Sequence, residues 1–421
     1  MRYRSLEGLV CILIAAAFVI PVGVVGGPSA SKSGAEKQWT MLFYFCADNS
    51  LEWTTEFSVH IWETALTSNK DVNIVALVDI KSIDGIWIYE LGGGTRKTVA
   101  TWPEMDTSDP MVLEKFVTYG MKNYKAAKTM VMMSDHGYGW RGICNDETNR
   151  DTLMQIDGIA AALNNVKAAT GKIVDILVFD ACNMAAIEVA YELRDSVRYV
   201  VGTETTEPYD GPAYRMFISD VVANPAIPPV DLAKDMVHNY VLYYSSKWDY
   251  EHQVTYTQDF ATCSAIDMSK MDALGAEFQN MATVLAPIIP EHIKEVENAR
   301  GYALVGTWTN MAGSFWMPDV YTLAEGLRAI EGHPELVSAI NSFETAFDAA
   351  ILAEEHSKKY HDTVHGMNVW FPPSHSHLNS VSWSAGWSWY AQFIYVDSGL
   401  DLIEGMDSPW MQCLMAYFNA K

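Results

Sequence analysis

Two side chains that could act together in nucleophilic catalysis, His136 and Cys182, each follow a short apolar run. The run TMVMM precedes Ser-Asp-His136, and the run VDILVF leads into Asp-Ala-Cys182, 46 positions further on. Such runs indicate buried strands of a parallel sheet, and the interval is long enough for one right-handed crossover between neighbouring strands. In an open α/β sheet, ligands bind beyond the carboxyl ends of the strands. We therefore predict that His136 and Cys182 emerge there side by side, as an activated thiolate requires.

The segment after Cys182 has the pattern of a helix that begins at once. Asn183 is a favourable N-cap residue, and apolar residues recur at helical spacing from Met184 to about Leu193. A thiol at a helix N-terminus has a pKa below its usual value of about 8.5. We therefore expect a lowered pKa for Cys182, with the backbone N–H groups of Cys182 and Gly137 as donors to a developing oxyanion.

The rest of the N-terminal half alternates between apolar runs and stretches of helical spacing. The apolar runs lie at Met41–Cys46, Val72–Val78, Thr129–Met133, Val174–Phe179 and Tyr199–Val201. This alternation predicts an α/β fold with a mainly parallel sheet that is covered by helices on both faces. We expect the sheet to occupy residues 38–225 and a helical or mixed C-terminal part, 226–421, to pack on it.

The first residues have the pattern of an export signal. A start with two arginines precedes an apolar run at 9–25, and small residues follow that run. The run is shorter than the roughly 20 residues of a membrane-spanning helix, and Pro21 interrupts it. We predict a signal peptide at 1–27, a linker at 28–37 and an extracellular or cell-surface protein. A membrane would be a partner only if the signal were retained as an anchor.

The composition is that of a folded protein with a strong acidic excess. The 421 residues include 52 acidic and 28 basic side chains, a formal net charge of −24, and 49% are hydrophobic. A disordered chain is excluded, because disorder requires low hydrophobicity together with high charge. Nucleic-acid binding depends on clustered Lys and Arg, so we predict no nucleic-acid partner.

Cysteines are informative because the chain is expected to be exported. Beyond the predicted signal there are five of them: Cys46, Cys144, Cys182, Cys263 and Cys413. An odd number leaves at least one thiol unpaired. The four other than Cys182 could form two disulfides in three different pairings or stay reduced, and the sequence does not distinguish these outcomes.

Several segments resemble the clostripain-like cysteine peptidases, a family grouped with caspases, gingipains and legumains. They are WTMLFYFCADNSLE, MMSDHGYGW and VFDACNM, with softer likeness in VVGTET, TCSAIDMSKMDAL and HGMNVWFPP. The resemblance implies a caspase-like α/β/α sandwich and a Cys–His dyad without an obligatory third member. It further implies that Cys182 attacks the peptide carbonyl and that His136 protonates the leaving amine.

Two acidic residues are candidates for substrate recognition. Asp180 lies two residues before Cys182 and so projects on the same side of its strand. Asp210 follows the next strand, in a loop flanked by glycine, and the resemblance assigns both acids to the primary pocket of relatives that cleave after Arg or Lys. A substrate guanidinium could supply the cation that a buried carboxylate needs. Alternatively, Asp180 pairs with an internal lysine or caps a turn.

The resemblance implies that the reaction requires no cofactor. Some relatives need calcium, which the many acidic residues could bind, although the sequence indicates no ligand set. A histidine cluster could also hold a metal, but its spacing matches no zinc motif, and we predict no metal site there. The cluster consists of His356, His361, His365, His375 and His377.

Self-cleavage is a further expectation, because several relatives cut themselves between the His and Cys strands. Of the four basic residues in this interval, only Arg150 lies in a polar stretch without apolar periodicity. Exposed loops of this kind are preferred sites of proteolytic nicking. We predict cleavage after Arg150, with a plain surface loop as the alternative.

The leading hypothesis is thus an exported endopeptidase that acts on proteins or peptides with Arg or Lys at the cleavage site. Two other functions stay open on the sequence alone. A catalytically inactive surface-binding protein could keep the same fold, and a metal-dependent hydrolase could use the histidine cluster.

Overall fold

Strands form where the sequence is rich in apolar, β-branched and aromatic residues, which suit a buried pleated surface. The computed structural model describes residues 36–53, 55, 70–92, 94–149, 152–245, 261–304, 316–358, 363–374 and 408–421. The strands in these ranges are β1 Lys37–Ala47, β2 Val72–Ile80, β3 Ile86–Gly92, β4 Thr95–Trp102, β5 Ala126–Ser134, β6 Ile143–Asp146, β7 Thr152–Met154, β8 Val174–Asp180, β9 Val197–Gly202, β10 Thr262–Asp267 and β11 Ile351–His356.

Nine of these strands form one sheet, in the order β11-β10-β9-β8-β5-β1-β2-β3-β4. The five central strands, from β9 to β2, are parallel to one another. Strands β10 and β3 pair antiparallel with β9 and β2, and the outermost strands β11 and β4 pair antiparallel with β10 and β3. Strands β6 and β7 form a separate antiparallel pair. The predicted α/β fold with a mainly parallel sheet is therefore confirmed.

Helices cover both faces of the sheet. In chain order they are α1 Pro110–Asn123, α2 Ile156–Thr170, α3 Ile187–Leu193, α4 Tyr214–Ala223, α5 Pro229–Ser245, α6 Met271–Leu285, α7 Ile293–Tyr302, α8 Val320–Leu327, α9 Pro334–Ala350 and α10 Pro409–Asn419. Successive side chains of a strand point to opposite faces. Accordingly Leu42 of β1 packs in one core with Phe116 of α1, whereas Phe43 packs in the other with Phe217 of α4.

The C-terminal half contributes to the same sheet. Strand β10 pairs antiparallel with β9, and β11 extends the sheet beyond β10. Helices α6 to α10 join the larger of the two cores, which also contains residues of α1, α2 and α3.

The predicted signal peptide lies outside the described residues. Strand β1 begins at Lys37, the last residue of the predicted linker. Among the described helices, none has both the length and the apolar character needed to cross a membrane.

Candidate active site

The pairing of β5 with β8 determines where the two predicted catalytic residues lie. These neighbouring strands are parallel, and their register places Ser134 opposite Asp180. His136 and Cys182 each follow two residues later, so they leave the sheet at the same level. A hydrogen bond of 3.2 Å from the Asp135 N–H to the Asp180 carbonyl continues the pairing beyond the strands.

Gly137 brings the two loops into direct contact. A Cβ atom at this position would lie 2.3 Å from the carbonyl oxygen of Cys182 and 2.8 Å from its nitrogen. A side chain cannot be accommodated at such distances, so only glycine permits the backbones to approach this closely. The structure therefore brings His136, Gly137 and Cys182 together at one edge of the sheet.

The imidazole of His136 is held by a residue that sequence reasoning missed. Its Nε2 atom lies 2.9 Å from the hydroxyl oxygen of Ser50, in the loop that follows β1. Burial lowers the pKa of His136 below its usual value. The ring is therefore neutral at neutral pH and can accept a proton.

Asp135 organises the backbone around His136 and was also missed. Its buried carboxylate accepts hydrogen bonds from the Asn49 side chain at 2.8 Å, from the His136 N–H at 2.6 Å and from the Asn145 N–H at 2.7 Å. Burial raises its pKa well above the usual value. Its position directly before His136 at a strand end was the one sequence signal that could have suggested this role.

The expectation of a helix starting directly after Cys182 is wrong. Helix α3 begins at Ile187, and Asn183 has a positive φ of 60° instead of a cap conformation. The N–H of Asn183 donates to Thr205 and that of Ala185 donates to Thr203, at 2.8 and 2.9 Å. These two N–H groups are paired with the segment that follows β9, so Asn183 and Ala185 are held outside the helix. Helix α3 therefore begins only after them.

The expected lowering of the Cys182 pKa is wrong for the same reason. In the described part of the chain no helix begins at the thiol, and burial raises its pKa to about 12. The sulfur accepts a hydrogen bond of 3.2 Å from the backbone N–H of Glu207. The thiol therefore carries its proton in the free protein at neutral pH.

Asp180 is half-buried near Cys182 and is held by hydroxyl groups. It accepts hydrogen bonds from Ser134, at 2.6 Å, and from Tyr214. Burial raises its pKa to about 6. A Cβ at Gly211, which has a positive φ of 66°, would lie 2.8 Å from an Asp180 oxygen. Asp210, the preceding residue, thus lies in the loop that covers Asp180, and Tyr243 donates to it at 3.4 Å.

Glu207 is a third acidic residue near Cys182, and it was not predicted from the sequence. Both of its carboxylate oxygens are buried near the side chains of Tyr240 and Thr203, without a hydrogen bond of good geometry. Burial, and after it the nearby Asp180, raise its pKa well above the usual value. No local sequence pattern distinguishes Glu207 from its neighbours, because its burial depends on contacts between distant segments.

Among the residues that the structure describes, two clusters of side chains could hold a metal. In the first, the oxygens of Asp48, Asp79 and Glu104 lie within 4.8 Å of one another. One oxygen of Asp48 and one of Asp79 are buried without a partner, and burial raises the pKa of Asp79 to about 8. The second cluster consists of Cys46, Asp135 and Cys144.

The predicted histidine cluster is only partly described. His356 contacts Glu354, at 2.7 Å, whereas His365 contacts Thr322 and Asp319, at 3.1 and 3.3 Å. His361, His375 and His377, and the predicted cleavage residue Arg150, lie outside the described residues.

The chain was compared with known proteins. The model of the Clostripain family matches residues 43–373. Clostripain of Hathewaya histolytica is 27% identical over 198 residues, which are 39% of this chain and 38% of that protein, so the chain matches little more than a third of this relative.

Two solved structures share the fold. A secreted C11 cysteine protease from Bacteroides thetaiotaomicron, in complex with an irreversible peptide inhibitor, has a TM-score of 0.63 at 20% identity, over 87% of this chain and 100% of that one. An inactive zymogen C11 protease from Parabacteroides distasonis has a TM-score of 0.61 at 19% identity, over 80% and 93%. Since the family model covers most of the sequence, this chain belongs to the clostripain family of cysteine proteases.

Proposed function

We propose that the protein is an exported cysteine endopeptidase that cuts after Arg or Lys, with Cys182 as nucleophile and His136 as base. The observation that carries this proposal is the close packing of Gly137 on the backbone of Cys182, at the carboxyl ends of two adjacent parallel strands. This packing holds a neutral imidazole and a thiol at the same edge of the sheet. Membership of the clostripain family supports the same chemistry.

The protonation states define the order of the proposed steps. Because the pKa of Cys182 is raised to about 12, its thiol must lose a proton as the sulfur attacks the scissile carbonyl. His136, which is neutral, accepts that proton and then gives it to the leaving amine. The acyl group stays on the sulfur as a thioester until water hydrolyses it. The N–H groups of Gly137 and Cys182 are the proposed donors to the oxyanion.

Ser50 has a positioning role in this mechanism. Its hydroxyl contacts Nε2 of His136, and in the tautomer in which Nε2–H donates to this hydroxyl, Nδ1 is the nitrogen that exchanges a proton with the thiol. A hydrogen bond at one ring nitrogen fixes the tautomer, and so the proton acceptor, at the other.

Preference for a basic residue rests on three acidic side chains: Asp180 and Glu207 near the thiol, and Asp210 in the loop that covers Asp180. Burial raises the pKa of Asp180 and of Glu207, and the Glu207 oxygens lie near Tyr240 and Thr203 without a hydrogen bond of good geometry. Charged groups in such surroundings need a cation and further hydrogen bonds. A guanidinium or ammonium group of a substrate supplies both.

A positional scan of fluorogenic peptides tests the proposed specificity. Wild-type protein should cleave peptides with Arg or Lys before the scissile bond, and Cys182→Ala should cleave none. A wild-type preference for Asp, Asn or Leu at that position would refute the assignment of the acidic pocket. Cleavage by Cys182→Ala would refute the nucleophile instead.

Export and self-activation are separate parts of the proposal. Two structural relatives are described as a secreted protease and an inactive zymogen, which supports both ideas by analogy. Mass spectrometry of the secreted wild-type protein should find an N-terminus near residue 28 and a second one at Asp151. The second should be missing from Cys182→Ala. An intact chain with full activity would exclude self-activation.

We also propose that Asp48, Asp79 and Glu104 bind calcium. Carboxylate oxygens are the ligands that Ca²⁺ prefers, and the two buried oxygens without partners fit such an ion. Bound calcium would neutralise the repulsion among these acids. Calcium should therefore raise the midpoint of thermal unfolding of wild type but not of Asp79→Asn. Asp195→Asn, at an exposed site, is the control. An equal response of all three proteins would exclude this site.

A further inference from the structure

Two thiols that take no part in the proposed chemistry lie next to each other beneath the His136 loop. Cys46 is near the end of β1 and Cys144 is in β6, and both side chains are fully buried. Their sulfur atoms and a carboxylate oxygen of Asp135 all lie within 4.8 Å of one another. A disulfide holds its sulfurs about 2.05 Å apart, so small side-chain shifts could close a bond here.

The backbone at Cys144 turns the side chain towards Cys46. The pairing of β6 with β7 is interrupted between Ile143 and Asn145, so that Cys144 is the extra residue of a bulge. Its φ is 63°, in a region that residues other than glycine seldom adopt. Bulges redirect side chains, and this one aims a thiol at a second thiol.

We propose that Cys46 and Cys144 form a disulfide in the exported protein. The alternative pairings do not fit the fold. Cys263 packs on the opposite face of the sheet from Cys46 and Cys144. Cys413 belongs to α10, and its thiol donates a hydrogen bond of 3.1 Å to the carbonyl of Ala282 in α6. The single disulfide leaves Cys182 reduced, as the proposed mechanism requires.

The oxidant is a small disulfide or a disulfide-bearing oxidoreductase of the compartment into which the chain is exported. One cysteine thiolate attacks the oxidant, forms a mixed disulfide and releases one thiol. The second thiolate then attacks the mixed disulfide, which closes the bond and releases the second thiol. The two cysteines thus lose two electrons and two protons to the oxidant. Since burial raises the pKa of both thiols, exchange occurs while the chain folds, before the cluster is closed to water.

The proposed disulfide would link the two segments that position His136. The chain continues from Cys46 to Asn49, which donates to Asp135, and to Ser50, which contacts the His136 ring. On the other side, Cys144 precedes Asn145, whose N–H also donates to Asp135. A covalent link between β1 and β6 therefore holds both sets of contacts. The proposal depends on export into an oxidising compartment and not on catalysis.

Peptide mapping of the secreted, full-length Cys182→Ala protein tests the bond, because this variant removes the proposed catalytic thiol and self-cleavage. The protein is denatured with an alkylating reagent, digested without reductant and analysed by mass spectrometry. We expect one cross-linked peptide that contains Cys46 and Cys144, with Cys263 and Cys413 alkylated. The cross-link should vanish on prior reduction. Alkylation of both Cys46 and Cys144 without reduction would overturn the proposal, as would recovery of zinc bound to this pair.

Thermal unfolding gives a second readout. Reduction should lower the unfolding midpoint of the secreted protein by at least about 3 °C, since a disulfide that closes a long loop stabilises the fold. Reduction should not alter the unfolding midpoint of Cys144→Ala, whereas it should lower that of Cys263→Ala as it does that of the wild type. An unchanged unfolding midpoint of the wild-type protein on reduction would contradict the disulfide.

Discussion

The loops that follow β5 and β8 meet at one edge of the sheet, yet their polar groups are satisfied to different degrees. After β5, the Asp135 carboxylate accepts three hydrogen bonds, and the His136 ring is held by Ser50. Around the loop after β8, burial raises the pKa of Cys182, and both oxygens of Glu207 are buried without a hydrogen bond of good geometry.

This difference indicates that the two halves of the site are completed in different ways. Buried polar groups are normally hydrogen-bonded, and leaving one without a partner is unfavourable. The His136 side is therefore organised in the free protein. In the proposed function, the Cys182 side, with its acidic neighbours, would be completed by a cationic group of the substrate.

Removal of either member of the proposed dyad should have the largest effect. Cys182→Ala and His136→Ala should each reduce peptide cleavage to background, because no acyl-enzyme forms without the nucleophile and its base. Circular dichroism and the unfolding midpoint should be close to those of wild type. Cleavage by Cys182→Ala above a trace would contradict the mechanism.

Neutralising the acid behind Cys182 should affect only basic substrates. Asp180→Asn should lower kcat/KM for Arg and Lys peptides by about 2–5 kcal/mol, or roughly 30-fold to several thousand-fold, if the ion pair is desolvated. Peptides with an uncharged residue before the scissile bond should be cleaved as by wild type. Asp195→Asn, at an exposed carboxylate, is the matched control. An equal loss for all peptides would point to a structural role of Asp180.

The pH dependence should separate the two sides of the site. The pKa of Asp180 is raised to about 6, so its carboxyl is charged above this pH and neutral below it. kcat/KM for Arg peptides should therefore fall as the pH drops below about 6, by up to tenfold per unit for this group. For peptides with an uncharged residue before the scissile bond, kcat/KM should not show this decrease and should depend only on the protonation of His136. Superimposable profiles would argue against a charged pocket.

Loss of the Ser50 hydroxyl should have the smallest effect. Ser50→Ala should lower kcat by roughly 3–10-fold, as one neutral hydrogen bond is worth about 1 kcal/mol. The acid limb of kcat should shift, because the contact influences the protonation of His136. Ser50→Thr, which keeps the hydroxyl, should restore most of the activity. A change in KM alone would indicate that Ser50 contacts the substrate instead.

Local sequence patterns predicted the framework of the site because they reflect burial. The runs that became β1, β5 and β8 are almost wholly apolar, which is typical of strands covered on both faces. The crossover between β5 and β8 then required His136 and Cys182 to leave neighbouring strands. Their juxtaposition needed no information beyond strand order and direction.

The incorrect and missed features depend on contacts between distant segments. The sequence after Cys182 suits a helix, but the N–H groups of Asn183 and Ala185 are paired with Thr205 and Thr203 near the end of β9. The roles of Ser50 and Glu207 likewise arise from chain folding that brings other loops to the strand ends. Tertiary hydrogen bonds can override local helix propensity in this way.

A peptidyl chloromethyl ketone with arginine next to the reactive group tests whether Cys182 is a thiol activated by His136 in a pocket for basic side chains. The site of labelling is identified by peptide mapping with mass spectrometry. We predict one adduct, on Cys182, that is absent from Cys182→Ala, forms far more slowly in His136→Ala and is disfavoured when leucine replaces arginine. Labelling of another cysteine, or equal rates for wild type and His136→Ala, would contradict the account.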